Sequence, residues 1–179
     1  FDDNLKDPNR TNQYSNQLPK NVQDNLGEWL PGYYEQARFL KKYEPNIIMI
    51  SMGGNNIGFA DILTDCLGVG TCYSSYEDRA ELVDLINNQF DPLVNLYTTI
   101  KQDTTPDARI YVSGYPSIIK ADGEYCGANI HLSYQERVFA NDLEDYLNAV
   151  IKLAAQKAGV FYVDTTTAFD GSRLCEEGV

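Results

Sequence analysis

Two kinds of apolar spacing alternate along this chain. Ile47-Ile48-Met49-Ile50 is a continuous apolar run that ends at Ser51. An uninterrupted run of that size suits a strand buried on both faces, as in a parallel sheet. Arg109 to Ser113, centred on Ile110, Tyr111 and Val112, predicts a second strand, and Val160 to Asp164 predicts a third. Between them the spacing becomes helical. Tyr33, Ala37 and Leu40 fall at i, i+4 and i+7, which predicts a helix from Pro31 that stops before Pro45. Leu82, Ile86, Phe90, Leu93 and Ile100 give one apolar face to a long helix from about Tyr76 to Lys101, which Pro92 should kink or break. Phe139, Leu143, Leu147, Val150, Ile151 and Ala154 stripe a third helix. That helix opens on a capping box, Ser133-Tyr134-Gln135-Glu136, and closes at Gly159.

The order helix, strand, helix, strand, helix, strand predicts the α/β class: a parallel sheet with helices on both faces, a three-layer αβα sandwich. Residues 1–25 are polar, with Pro8 and Pro19, and read as an irregular arm. Residues 60–76 and 117–132 read as loops. The 179 residues fit a single domain, large enough to bury a core without metals.

Charge and cysteine content narrow the function. The formal net charge of −12 repels a phosphate backbone, so nucleic acid is excluded as a partner and an anionic membrane surface is disfavoured. No run approaches the ~18 apolar residues of a transmembrane segment. The four cysteines are Cys66, Cys72, Cys126 and Cys175, without a C-x-x-C pair, and His131 is the one histidine, which argues against a zinc site. Two disulfides, and hence an oxidising compartment and a secreted protein, fit the even count. Cys66 to Cys72 encloses a short Gly-containing loop and is paired locally, leaving Cys126 to Cys175. The competing reading is four buried thiols in a cytosolic protein. The chain opens Phe1-Asp2-Asp3 without an initiator Met, as after removal of a signal peptide or in a fragment. Asn9-Arg10-Thr11 is a glycosylation sequon, relevant in a eukaryotic secretory pathway.

Ligands of open parallel sheets bind at the carboxyl ends of the strands. Three such ends are visible: Gly53-Gly54-Asn55-Asn56, Gly114-Tyr115-Pro116, and Asp164 with the run to Cys175. They should crowd one edge, and both expected disulfides should touch it. Paired glycines let a backbone turn tightly and approach a ligand closely. Asn55 then offers an amide donor from a fixed position, as an oxyanion hole requires, and such a donor is worth about 3 kcal/mol. The competing reading is a Gly-Asn turn without a catalytic task. Ser51 and Ser117 stand at strand ends, but neither lies in a G-x-S-x-G elbow, and His131 reads as a surface histidine before the capping box. Asp61, Asp65 and Glu77 flank the first disulfide loop without a calcium-loop pattern, so no metal is expected. The 13 tyrosines are expected to pack half-buried with wet hydroxyls.

Gly53-Gly54-Asn55-Asn56-Ile57-Gly58-Phe59, directly after a strand, resembles the third conserved block of the SGNH (GDSL-type) hydrolases. Cys66 and Cys72, Val112-Ser113-Gly114-Tyr115-Pro116, Glu136-Arg137 before a long helix, and Val163-Asp164 through Phe169, Gly171 and Cys175 are similar to the disulfide-containing secreted esterase and lipase branch. The resemblance covers roughly residues 45 to 175. It implies a flavodoxin-like SGNH fold, in part, and an ester hydrolase with Asn55 as oxyanion donor. It also implies Gly53, Gly54, Asn56 and Tyr115 around a small-molecule, lipid or glycan ester, and no cofactor. Asn56 stands where the family usually has Asp; it keeps an acceptor without the charge. Ser172 stands where related sequences often have His. The family's G-D-S nucleophile block, its intervening glycine donor and its D-x-x-H base block do not occur here. The expectation is a segment of a longer enzyme, without its first strand and last catalytic block and inactive alone. An SGNH-like module that binds glycan or cell-wall material is the alternative. A nucleotide binder is a third reading, set aside because no helix is expected after Gly58.

Overall fold

The structure is a computed structural model in which residues 20–21, 36–67, 72–123, 126 and 132–176 are described. Its elements are α1 (Gln36–Tyr43), β1 (Ile47–Ile50), a 3-10 turn (Gly54–Ile57), α2 (Phe59–Leu67), α3 (Tyr76–Asn87), α4 (Phe90–Gln102), β2 (Arg109–Ser113), α5 (Tyr134–Ala158) and β3 (Phe161–Val163). The strands form one sheet in the order β1-β2-β3. β2 and β3 run parallel, with Tyr111, Val112 and Ser113 opposite Phe161, Tyr162 and Val163. The expected α/β class with a parallel sheet is therefore the observed one.

By compactness the chain divides into two units, Phe1–Ile48 with Leu96–Arg109, and Met49–Asn95 with Ile110–Val179. In the first, Leu96, Tyr97 and Ile100 are buried along α4. Lys41 Nζ on α1 reaches Asp103 at 3.2 Å. Arg109 N–H donates to the Asn46 carbonyl at 2.9 Å. The start of the first helix expected at Pro31, and Asn9, lie outside the described residues. Of the expected irregular arm only Lys20 and Asn21 are described, and both are helical.

The second unit is organised by α5. Its capping box is complete: Glu136 N–H donates to Ser133 Oγ at 3.2 Å and Ser133 N–H to Glu136 Oε2 at 2.8 Å. The other carboxylate oxygen of Glu136 accepts from Cys72 N–H at 3.2 Å, which ties the helix start to the first disulfide. Burial would push the Glu136 carboxyl up, but these bonds outweigh it and hold it below its ordinary value. Gly159, at φ 68°, ends the helix in the left-handed region. Leu147, Ile151, Ala154 and Ala155 are fully buried. A buried Leu or Ile contributes about 1.5–3 kcal/mol.

Three expectations need correction. β1 is buried on one face only: Ile48 and Ile50 are 8% exposed, whereas Ile47 and Met49 are 63% and 77% exposed. An apolar run shows that both faces tolerate burial, while coverage depends on what packs against them. The long helix is two, because α3 ends at Asn87 and α4 begins at Phe90. The break precedes Pro92 because proline is accommodated in a first helical turn, where its missing N–H leaves no bond unmade. Residues 60–76 are not simply a loop. Phe59, Ile62, Leu63 and Cys66 share one helical face in α2, with Ile62 and Cys66 buried.

Both disulfides pair as expected, Cys66 with Cys72 and Cys126 with Cys175. They meet in one apolar cluster. Cys66, Ile119, Cys126, Leu132 and Ala140 are buried there, with Leu63, Phe139 and Leu174 packed against them. A bridge across a long loop restricts the unfolded chain more than one across a short loop. The sequence separations are 49 for Cys126–Cys175 and 6 for Cys66–Cys72. Replacing the long-range pair by alanines should therefore cost about 4 kcal/mol, and the local pair about 2 kcal/mol. Urea midpoints of the two double variants check this; equal losses would contradict it.

Candidate functional site at the carboxyl edge of the sheet

The site begins where β1 runs into glycine. Gly53 has φ 125° and ψ −42°, a backbone conformation that other residues rarely adopt. Asn56 N–H then donates to the Gly53 carbonyl at 3.1 Å and Gly58 N–H to the Asn55 carbonyl at 3.2 Å. Ile57, 5% exposed, anchors the turn from below. Asn55 and Asn56 stand exposed on its crest. Neither side chain has a hydrogen-bond partner among the described residues. Contrary to expectation, a helix does follow at once: Gly58 leads into α2 at Phe59. The turn is thus held at both ends by regular structure.

Gly54 is needed for closeness. A Cβ there would lie 2.9 Å from Cζ of Tyr115. The Gly54 N–H donates to the Tyr115 hydroxyl at 2.9 Å. Tyr115 is in turn fixed through its backbone. Its N–H donates to Asn148 Oδ1 at 2.7 Å and its carbonyl accepts from Asn148 Nδ2 at 2.9 Å. Only one orientation of the Asn148 amide satisfies both bonds. The Phe59 ring lies beside Tyr115, with centroids 6.4 Å apart.

The third strand end joins the second. Gly114 N–H donates to the Val163 carbonyl at 3.1 Å, Thr165 Oγ1 to the Gly114 carbonyl at 2.7 Å, and Ser117 N–H to the Thr166 carbonyl at 3.0 Å. Ile119 and Leu174 extend this contact as a parallel bridge. Asp164 Oδ1 accepts from the backbone and hydroxyl of Thr166, which lowers its pKa. All three strand ends therefore share one edge, with both disulfides in the cluster beneath it, as the topology implied.

Sequence reasoning missed the residues that hold this edge. Asn141, Glu144 and Asn148 fall at i, i+3 and i+7 on α5, a polar row against the segment after β2. Asn141 Oδ1 accepts from Ser117 Oγ at 3.0 Å, while its Nδ2 donates to the Arg137 carbonyl at 2.8 Å. Glu144 is 3% exposed, and its Oε1 has no hydrogen-bond partner among the described residues. Burial pushes its carboxyl up to about 7, the Ser117 hydroxyl opposes this, and Asp145 adds to it. The signal was available as helical spacing, but polar residues on a long helix ordinarily face water.

Ser51 is exposed at the end of β1, and Ser172 is exposed in the segment after β3. His131 lies outside the described residues. Among the described residues, no group of three or more His, Cys, Asp or Glu side chains is arranged to hold a metal ion, and no helix is long and apolar enough to cross a membrane.

Residues 4–178 match the GDSL-like lipase/acylhydrolase family. The chain is 34% identical over 131 residues to Lipase 1 of Streptomyces coelicolor, covering 72% of this chain and 46% of that protein. It is 32% identical over 133 residues to a lipase of Streptomyces rimosus, covering 73% of this chain and 47% of that one. It thus spans about half the length of these relatives. Among solved structures, the extracellular lipase of Streptomyces rimosus superposes with TM-score 0.63 at 27% identity, over 80% of this chain and 58% of that one. Phospholipase A1 of Streptomyces albidoflavus superposes with TM-score 0.54 at 25% identity, over 78% and 60%. The partial SGNH hydrolase fold expected from the Gly-Gly-Asn block is the fold these neighbours share.

Glu144 makes stability depend on pH. Its carboxyl titrates near 4.5 when unfolded and near 7 when folded. The folded state therefore favours the protonated form, and this contribution is complete below about pH 4.5 and lost as pH rises to about 7. Glu144→Gln mimics the protonated carboxyl. Relative to the parent, the variant should gain up to about 3 kcal/mol between pH 4.5 and 8. Denaturant titrations of both proteins at several pH values measure the difference; a pH-independent difference would refute the assignment.

Proposed function

Because this chain belongs to the GDSL-like lipase/acylhydrolase family, we propose that the protein is a carboxylic ester hydrolase working through a serine acyl-enzyme, with Asn55 as an oxyanion-hole donor. The supporting observation is the crest of the Gly54–Ile57 turn, whose backbone fixes Asn55 while its side-chain amide is left without a partner among the described residues. Attack of a serine hydroxyl on an ester carbon converts the carbonyl oxygen into an oxyanion. A donor already aimed at that position stabilises the transition state more than the bound ester, and so raises the rate.

Gly53, Gly54, Asn56 and Tyr115 surround the ester at this edge, and the Tyr115 ring beside Phe59 offers an apolar wall to the acyl group. Asn56, neutral where Asp is usual, keeps the turn through its backbone bond to Gly53. The nucleophilic serine and the histidine base are assigned to parts of the protein other than these residues, in a G-D-S block and a D-x-x-H block. Ser117 is a poor candidate nucleophile, since its hydroxyl is engaged by Asn141 and Glu144. No metal or organic cofactor enters this chemistry. The substrate class is a lipid or other small-molecule ester, supported by relatives named lipase and phospholipase A1. The two disulfides and the extracellular relative support a secreted protein.

The test is p-nitrophenyl ester hydrolysis by the full-length protein. Asn55→Ala should lower kcat by about 100-fold or more with a much smaller change in KM. An unchanged kcat would remove Asn55 from the mechanism.

A further inference from the structure

We propose that Tyr115, clamped by Asn148, is a positioning residue that sets the oxyanion-binding turn. This inference rests on the role given to Asn55 above and assigns how that role is maintained. The Gly54 amide lies one residue before Asn55, so anchoring it restricts where the Asn55 backbone begins. Gly54 is buried, and its N–H has one acceptor, the Tyr115 hydroxyl at 2.9 Å. A tyrosine hydroxyl is a useful anchor only if the tyrosine itself cannot move. Asn148 provides that condition. It is 5% exposed, and it holds both the N–H and the carbonyl of Tyr115 at 2.7 and 2.9 Å.

One helix therefore controls the turn by two routes. Leu147 and Ile151 lie against the inner side of Gly53, within 3.7 Å of where a Cβ would be. Asn148, between them on α5, reaches Gly54 through Tyr115. Both contacts come from fully or nearly fully buried side chains, so neither end of the turn can tilt without moving α5. The bond has a chemical consequence as well. It occupies the Gly54 N–H, so that amide is withdrawn from any ligand at the turn. By anchoring Gly54, Tyr115 acts through Asn55 and not only as a wall for substrate.

The decisive variant is Tyr115→Phe, which removes the hydroxyl and keeps the ring. In the full-length protein it should lower kcat roughly tenfold with KM nearly unchanged, because misplacing a donor by a fraction of an ångström costs rate and not binding. Amide hydrogen exchange at Gly54 should accelerate. Asn148→Asp keeps the acceptor for the Tyr115 N–H and loses the donor to its carbonyl, so it should show a smaller effect of the same kind. The double variant Asn55→Ala/Tyr115→Phe should be no slower than Asn55→Ala alone, since a residue that acts through Asn55 has nothing to position once it is gone. Multiplicative losses in the double variant would overturn the inference. So would a higher KM at unchanged kcat in Tyr115→Phe, which would make Tyr115 a substrate contact alone. If Asn55→Ala leaves kcat intact, it is the oxyanion reading that fails. Unchanged exchange at Gly54 in Tyr115→Phe instead denies that Tyr115 holds the turn.

Discussion

A parallel sheet delivers its strand ends to one edge, and each end leaves backbone amides and carbonyls that must find partners away from water. Most of this protein's site is an answer to that requirement. After β1 the partner is a tyrosine hydroxyl, after β2 it is the side-chain amide of Asn148 with the hydroxyl of Thr165, and after β3 it is the backbone N–H groups of Gly114 and Ser117. None of these partners is local in sequence. They arrive together only when α5 is docked, so the shape of the edge is a property of the packed unit. On its exposed crest the side-chain amides of Asn55 and Asn56 are left without partners among the described residues.

The apolar cluster beneath this edge has a complementary task. Ile119 and Leu174 carry the second and third strand ends past the sheet, and both disulfides pack around them. Covalent bridges placed there tie Cys126 to Cys175 and the end of α2 to Cys72. Glu136 adds to the same region by capping α5 and holding Cys72 with opposite oxygens. The helix that supports the site and the bridge that supports its flank are thus started by one carboxylate.

The strands, α5 and the Gly-Gly-Asn turn were legible because each depends on local pattern. Ile47 to Ile50 is strand-sized and rich in β-branched Ile, and Ser133 with Glu136 forms a capping box that marks a helix start. The nine residues of α2 were missed because a short helix between Gly58 and a disulfide loop looks like connection. The break before Pro92 was placed too late, since the residue that forbids continuation is not the residue at which the chain turns. The polar row of α5 was out of reach for a deeper reason. Asn141, Glu144 and Asn148 would suit a wet helix face equally well, and the segment after β2 lying against them is what leaves Glu144 and Asn148 buried and Asn141 half-buried. Exposure of Met49 on β1 is the same lesson reversed.

Gly54 and Tyr115 are 61 positions apart yet in contact at the limit of atomic approach. A larger residue at position 54 would collide with the ring, and shrinking the ring to admit it would strand the amide that the hydroxyl now receives. Neither position can drift first. The two positions are constrained as one pair: a side chain at 54 requires less bulk at 115, and less bulk at 115 leaves the Gly54 N–H without its acceptor.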